Sequence, residues 1–311
     1  MPPRLSVIIP TRDCLSYLPA AIASVRRQDL GPVEIIVVDD GSTDETPQWL
    51  AAEAARDPAI RPIYRPRLGL GPGAARNAAL AVAQAPILAC LDADDTWRPD
   101  AVLERLELHE ARPQIVLSFA DYDSVGADGA RLGTAFAYWP RFRRWLDGRT
   151  GLLPLGEQAL AMLYLENVVG TSTVLLARAA LLAEGGFWTE HRVSSDWEMW
   201  LRLARRGEIW CSTRVAADYL VRENSVSRDL GAVLAAMRAI QAKYAAEAAV
   251  QNPAAPRIAR AELAIVEATE ARMKGETFQA LRRHLAALLQ DPSLRTARLA
   301  AYDAAHLAGL R

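Results

Sequence analysis

Ile87-Leu88-Ala89-Cys90-Leu91-Asp92-Ala93-Asp94-Asp95 is an apolar run that ends in three carboxylates. Its first five residues read as a buried β-strand, too short for a helix and followed at once by a polar turn. Carboxylates a few ångströms apart repel and raise each other's pKa unless a cation lies between them. Mg²⁺ and Mn²⁺ are the natural guests, being hard ions that take oxygen ligands and bring substrate phosphates with them. The competing reading is an acidic turn that caps a helix starting at Asp95-Thr96-Trp97.

Working outward, the first half of the chain alternates strand and helix patterns. Leu5 to Ile9, Val33 to Val38, Ile60 to Tyr64 and Ile115 to Phe119 join Ile87 to Leu91 as strands. Tyr17 to Gln28, Pro47 to Arg56, Ala74 to Ala83 and Pro99 to Glu110 are the helices between them, with Thr46-Pro47 as a start signal. Near-continuous apolar strands separated by helices predict an α/β fold, a mostly parallel sheet covered on both faces. In such sheets ligands bind outside the carboxyl ends of the strands. Asp39, Asp40, Asp92, Asp94 and Asp95 all fall there, so topology sends both acidic clusters to one rim.

The bulk composition fits an enzyme. The 311 residues carry 36 Lys and Arg against 37 Asp and Glu, a net charge of −1, so no global field draws in nucleic acid. Cys14, Cys90 and Cys211 lie far apart, in no metal-ligand spacing, and read as small buried thiols. No apolar stretch reaches the roughly 18 to 20 residues that span a bilayer, and the expected location is cytoplasmic. Tyr138 to Trp145 interleaves aromatics with arginines. It reads either as an acceptor lid or peripheral membrane contact, or as a surface segment with its aromatics tucked in. After Arg228 the composition turns alanine-rich and helical, punctuated by Asn252-Pro253 and Asp291-Pro292. The expected division is a catalytic domain over residues 1–228 and a helical region over 229–311.

Three further constellations carry chemistry. Asp39-Asp40-Gly41-Ser42-Thr43-Asp44 follows a strand directly, and its carboxylates suit hydrogen bonds from a nucleobase or a ribose. Ser42 with Glu45 also matches a capping box. Gly69-Leu70-Gly71-Pro72-Gly73 opens a helix but lacks the ending of a P-loop, so it is weak evidence for a phosphate cradle. Arg76, on the first turn of that helix, is placed to reach a diphosphate. Asp196 follows Ser194-Ser195 at a helix start, where an ionised carboxylate is favoured and a proton acceptor is available. By local sequence alone, Asp196 reads first as a cap, and it is the company of the other motifs that reverses this.

In this order, Val7-Ile8-Ile9-Pro10-Thr11, Glu34 to Asp44, Ala75-Arg76-Asn77, Leu91 to Asp95, Gly185-Gly186-Phe187 and Asp196-Trp197 resemble the family 2 glycosyltransferases. The resemblance runs from Leu5 to about Ser227 and implies the GT-A fold, with a C-terminal helical extension here. It also implies a nucleotide-diphospho-sugar donor, a divalent metal (Mn²⁺ or Mg²⁺) on the diphosphate, and inversion at the anomeric carbon. Carried over, Pro10, Thr11 and Arg12 would line the nucleotide pocket, Asp40 would contact the base with Asp39 beside it, and Arg76 would support the nucleotide. Asp92 and Asp94 would shape the ribose and metal site, Asp94 or Asp95 would ligate the metal, and Asp196 would be the base. The donors expected are UDP- or dTDP-sugars, and the acceptor a glycan or a lipid-linked glycan.

Three departures from the family pattern stand out. Arg12-Asp13 replaces the usual Tyr-Asn, leaving an arginine plane where an aromatic stacks on the base. Ser195 replaces a glutamate, and Arg222-Glu223-Asn224-Ser225-Val226-Ser227 replaces a basic stretch ending in His-Pro-Gly-Ser. The last departure supports the alternative of a binding or scaffold protein that has lost turnover. A nucleotidyltransferase of similar fold is disfavoured, because Pro10 to Ser16 lacks glycine.

Overall fold

The computed structural model describes residues 2–65, 71–222 and 229–307. Leu68 to Leu70 of the glycine-rich loop and Glu223 to Ser227 lie outside the described residues. The chain separates into two compact units, Met1–Ala159 with Glu166–Glu223, and Leu160–Leu165 with Asn224–Arg311.

The first unit opens with regular alternation: β1 (Leu5–Thr11), α1 (Leu18–Arg26), β2 (Val33–Asp39), α2 (Thr46–Arg56), β3 (Ile60–Tyr64), α3 (Pro72–Val82) and β4 (Ile87–Cys90). There follow β5 (Thr96–Trp97), α4 (Leu103–Ala111), β6 (Ile115–Val125), β7 (Arg131–Thr134), α5 (Ala135–Tyr138), α6 (Pro140–Leu146) and β8 (Leu152–Pro154). After α7 (Ala159–Leu165), a 3-10 turn at Thr171–Thr173 leads into β9 (Leu175–Ala177), α8 (Arg178–Ala183), α9 (Ser195–Leu203) and β10 (Glu208–Leu220).

The described strands form one ten-stranded sheet in the order β3-β2-β1-β4-β9-β6-β10-β5, with β7 on β6 and β8 on β10. The pairs β3-β2, β2-β1 and β1-β4 are parallel, as continuous burial on both faces predicts. The register Thr11↔Asp39 puts the ends of β1 and β2 side by side. Strand β9 enters antiparallel to both β4 and β6. It has only three residues and follows a polar turn, so it leaves no period-2 signal to read. Thr96-Trp97 is a strand rather than a helix start, pairing antiparallel with Ala217 and Asp218 of β10. The next helix is delayed to Leu103, beyond Asp100 with its left-handed φ of 55°.

The core joins β1, β2 and β4 to α1, with Leu5, Val7, Ile9, Leu18, Ile22, Ile35 and Val37 all fully buried. The aromatic–arginine segment forms α5 and α6. Phe142 is buried between Phe136 and Trp145, and Arg149 lies over the Trp145 ring at 4.4 Å. The three cysteines are free and buried, and burial pushes the thiols of Cys90 and Cys211 up to about 12.

The second unit contains α10 (Leu230–Gln251), α11 (Ala255–Met273), α12 (Thr277–Gln290) and α13 (Leu294–Leu307), each packed on the next. Its core is built of alanines such as Ala261, Ala268, Ala280 and Ala287, which let the helices approach closely. Residues Leu160–Leu165 join it through Tyr164, whose hydroxyl donates to the Gln241 carbonyl at 3.3 Å. Inside, His284 Nδ1 meets Asp303 Oδ2 at 2.6 Å and Arg272 donates to Asp303 Oδ1 at 2.5 Å. No helix among the described residues is long and apolar enough to cross a membrane.

Candidate active site

At the ends of β1 and β2 the chain gathers three carboxylates, Asp13, Asp39 and Asp40. Asp39 is buried and does not face outward. Its Oδ1 accepts from the Ser42 backbone N–H at 3.0 Å and from the Ser42 hydroxyl at 2.5 Å. Ser42 therefore ties the turn together instead of capping α2, whose N-cap is Glu45 with no side-chain bond. Asp13, at a left-handed φ of 49°, accepts from the Thr43 backbone N–H at 2.6 Å, which holds its carboxyl below the usual range. Asp40 is anchored through its own N–H, which donates to the Thr11 carbonyl at 2.9 Å. Arg65 Nη1 stands 3.1 Å from Asp40 Oδ1 as an ion pair without hydrogen-bond alignment. Asp40 Oδ1 and Thr11 Oγ1 are consequently buried without a hydrogen-bond partner. Such orphans are rare and ask for a ligand. Pro10 and Thr11 line this edge, and Arg12 projects half-exposed beside Asp13.

The turn after β4 sorts its three carboxylates. Asp92 accepts from Arg76 Nη2 at 2.7 Å. Asp94 pairs with Arg222. Asp95 is fully buried with both oxygens engaged, Oδ2 by the Ser172 hydroxyl at 2.5 Å and Oδ1 by the Leu220 N–H at 3.0 Å. Burial, then Asp92 and Asp94, push Asp95 well above the usual carboxylate range. Burial and Asp92 raise Asp94 too, against the pull of Arg222.

Arg76 is buried under Phe187, whose ring centroid lies 5.7 Å from its guanidinium. Burial opposes its charge, but Asp92, Cys90 and Asp196 raise its pKa in sum. The adjacent residues Thr171 and Ser172 bring Asp196 and Asp92 into one site, Thr171 bonding the first and Ser172 the second. Asp196 lies in the first turn of α9 and is half-buried. Its Oδ2 accepts from the Thr171 hydroxyl at 2.6 Å and its Oδ1 from the Trp197 N–H at 2.8 Å. The N-cap of α9 is Ser194, in a left-handed conformation with φ 59°, so Asp196 is not the cap. Its remaining lone pairs stay open to an acceptor.

Two glycines explain why α3 and α9 meet. A Cβ on Gly73 would fall 2.6 Å from the Trp188 carbonyl oxygen and 2.8 Å from Ser195 Oγ. The described end of the glycine-rich loop is thus spent on close approach to the Asp196 helix. Gly186 has φ +84°, and a Cβ there would stand 2.5 Å from Asn77 Oδ1. Asn77 clasps the adjacent Phe187, donating to its carbonyl at 2.8 Å and accepting from its N–H at 2.6 Å.

Sequence reasoning did not find the residues that join these parts. The turn Gly170 to Thr173 carries most of the joinery. Ser172 Oγ accepts from the Asp92 N–H at 3.0 Å while donating to Asp95, and Thr171 holds Asp196. Trp97 Nε1 donates to the Ser172 carbonyl at 2.7 Å, and buried Arg105 donates to the Thr173 carbonyl. A Gly-Thr-Ser-Thr string resembles any polar loop, and only its placement at the sheet end shows what it does. Arg65 was missed for the same reason.

The donor set fits a hard divalent cation that also takes substrate oxygens. Asp92 and Asp94 offer carboxylate oxygens at a strand end, where their mutual repulsion favours positive charge. Among the described residues no three acidic, His or Cys groups form a complete cage. A diphosphate would supply the remaining ligands, the usual arrangement for Mg²⁺ with one or two carboxylates.

Comparison with known proteins agrees with this geometry. The family model "Glycosyl transferase family 2" matches residues 6–164. The succinoglycan biosynthesis protein ExoO of Rhizobium meliloti is 29% identical over 267 residues, spanning 80% of this chain and 71% of that protein. The putative teichuronic acid biosynthesis glycosyltransferase TuaG of Bacillus subtilis is 29% identical over 228 residues, 72% of this chain and 82% of its own. In fold, residues 1–349 of S. aureus TarS in complex with UDP-GlcNAc superpose with a TM-score of 0.66 at 18% identity, covering 95% of this chain and 83% of that one. The mannosyltransferase PcManGT of Pyrobaculum calidifontis, in complex with GDP-Man and Mn²⁺, gives a TM-score of 0.64 at 21% identity over 98% and 80% of the two chains.

Proposed function

This chain belongs to glycosyltransferase family 2 and has the GT-A fold, and from that premise we propose an inverting, metal-dependent transfer of a sugar from a nucleotide diphosphate to a hydroxyl acceptor. The observation that carries the reading is the Gly170 to Thr173 turn, which binds Asp92 and Asp95 through Ser172 and Asp196 through Thr171. One rigid piece thereby holds a diphosphate-facing cluster and a half-exposed carboxylate in fixed relation.

In this reading the orphaned Asp40 and Thr11 atoms take the base, the carboxylate accepting from a ring N–H such as that of uracil or thymine, and the donor is a UDP- or dTDP-sugar. Pro10 and Arg12 flank it, with Asp39 bracing the turn. Arg76 neutralises charge that develops on the departing diphosphate. Asp92 and Asp94 would hold Mn²⁺ or Mg²⁺, which when bound supplies Lewis-acid stabilisation of the leaving group. Asp95, buried with both oxygens engaged, shapes the loop and leaves the metal to its neighbours. Asp196 accepts the proton of the incoming hydroxyl on the face opposite the leaving group, which gives inversion.

ExoO and TuaG carry names from polysaccharide biosynthesis, which supports a glycan acceptor; in this reading the glycan is lipid-linked and met at the cytoplasmic face of a membrane. The alternative, a degenerate binding or scaffold protein, is disfavoured because Arg222 still meets Asp94 and Asp196 is still presented half-exposed. The test is to titrate UDP, dTDP and GDP with Mn²⁺ and with EDTA, on the wild type and Asp196→Asn. The expected result is metal-dependent binding of one nucleotide class in both proteins, with transfer lost only in the variant. Transfer that survives in Asp196→Asn would sink the base assignment.

A further inference from the structure

Helix α12 is packed the wrong way round for a core-seeking helix. The side it buries carries Ala280, His284 and Ala287, each almost fully enclosed. Its bulkiest residues point outward: Phe278 is 68% exposed, Leu285 45% and Leu289 83%. Spacings of seven and four residues put these three on one stripe of the helix, with half-buried Leu281 and Leu288 along its edge. Met273, at the end of α11, and Leu294, at the start of α13, are 75% and 78% exposed. A run of large apolar side chains of this kind is not what a water-facing helix presents, and it marks an interaction surface.

The charge around the stripe selects the occupant. Arg282 lies one turn after Phe278 and Arg298 one turn after Leu294; both are exposed, and among the described residues neither stands in an ion pair. Their neighbours Arg283 and Arg295 turn instead to Glu267 at 3.0 Å and Glu262 at 2.6 Å on α11. Helix α12 has no carboxylate, and the single one of α13, Asp303, is buried against His284 and Arg272. From Asn224 to Arg311 there are twelve Lys and Arg against eight Asp and Glu. A second copy related by a two-fold axis would face this stripe with another arginine-bearing stripe, the nearest acids being the cap residues Glu276 and Asp291 at the helix ends. An anionic headgroup layer offers both what the arginines need and an apolar boundary for Phe278, Leu285 and Leu289.

We propose that the outward face of α12, flanked by Met273 and Leu294, docks the protein on the surface of an anionic lipid bilayer, with Arg282 and Arg298 at the headgroups. This rests on the membrane-face reading above and names the surface responsible, independently of the catalytic assignments. The experiment is co-sedimentation of the full chain with vesicles of phosphatidylcholine alone or with about one quarter phosphatidylglycerol, at low and high salt. The variants are Leu285→Ser/Leu289→Ser and Arg282→Glu/Arg298→Glu, all at exposed positions, with the calorimetric transition of the helical unit as the check on folding.

The expected result is binding to the anionic vesicles only, weakened by salt and reduced about tenfold or more by either pair of substitutions. Unchanged binding in both variants overturns the assignment to α12 while leaving membrane association standing. If no vesicle binds, both readings fall. A dimer in light scattering that the serine pair dissolves gives the face to a second copy and overturns the lipid proposal.

Discussion

Replacing Asn77 with alanine tests whether the clasp between α3 and the Gly185-Gly186-Phe187 turn stabilises the catalytic unit. The change removes the 2.6 Å bond from the Phe187 N–H and the 2.8 Å bond to its carbonyl. Phe187 is 3% exposed, so water does not reach its backbone easily and both groups lose their partner. Leaving a buried polar group unsatisfied costs about 1 to 3 kcal/mol, so two such losses amount to roughly 3 kcal/mol or more. In a unit of this size each kcal/mol moves the midpoint by about 2 to 4 °C, which predicts a fall of roughly 6 to 12 °C. Calorimetry is the right assay, because two units need not melt together. Asn77→Asp makes the test sharper. The aspartate keeps an acceptor for the N–H but turns an oxygen toward the Phe187 carbonyl, so it should destabilise at least as much as alanine. Gly186→Ala should cost stability in the wild type, where its Cβ meets Asn77 Oδ1 at 2.5 Å, and cost less on the Asn77→Ala background. An alanine variant that melts within 2 °C of the wild type, or an aspartate variant as stable as the wild type, would refute the clasp.

Thr171→Val deletes the hydroxyl that donates to Asp196, whereas Thr171→Ser keeps it. A charge-assisted bond of this kind is worth about 1.5 to 3 kcal/mol, so kcat should fall roughly tenfold or more in the valine variant and stay near wild type in the serine one, with nucleotide affinity unchanged in both. His109, bonded to Ser118 at 3.0 Å, is pushed down to about 4 from an ordinary 6.5 by burial and then by Arg105. The unfolded chain therefore takes up this proton first, so stability from the neutral ring is complete above 6.5 and is lost as pH falls towards 4. Urea melts at pH 7 and pH 5 should show about 2 kcal/mol more loss in the wild type than in His109→Gln, and equal losses would rule out the buried neutral ring. In the helical unit, Asp303→Ala leaves Arg272 and His284 without their shared carboxylate. Calorimetry should then show the helical transition lowered by about 3 kcal/mol, with nucleotide binding intact.

The parts of the site that were legible in the sequence are those carried by periodicity and by charge at strand ends. Five apolar runs placed Asp39, Asp40, Asp92, Asp94 and Asp95 at one rim, and the ends of β1 and β2 lie in register there. What the pattern hid was direction. Asp39 and Asp95 have the same composition cues as Asp40 and Asp94, yet they turn inward to Ser42, Ser172 and Leu220. The partners that decide this are 3, 77 and 125 positions away, so only in the first case does a local reading contain both. The glycine-rich loop was weak evidence for a phosphate cradle, and at Gly73 the missing side chain is needed for close approach to Ser195, a partner 122 positions away. The short antiparallel strand β9 was invisible because three buried residues do not establish a period.

That strand is also why the site works as one piece. Had the chain continued from β4 straight to a parallel neighbour, the crossover would have carried the following loop to the opposite end of the sheet before returning. An antiparallel β9, lying between β4 and β6, starts at the same rim where β4 ends. The polar turn before it is thereby delivered beside the acidic turn after β4. Ser172 can then serve the Asp92 N–H and the Asp95 carboxylate at once, while Thr171 faces α9 and Asp196. Trp97 and Arg105 fix the turn from behind through its carbonyls, using groups from β5 and α4 that would otherwise have buried donors to satisfy. The spacing between the acids after β4 and Asp196 is therefore set by backbone hydrogen bonds and two hydroxyls instead of by long flexible side chains. A transferase that must exclude water while aligning a hydroxyl with a sugar needs that stiffness, since small misplacements of reacting groups cost orders of magnitude in rate.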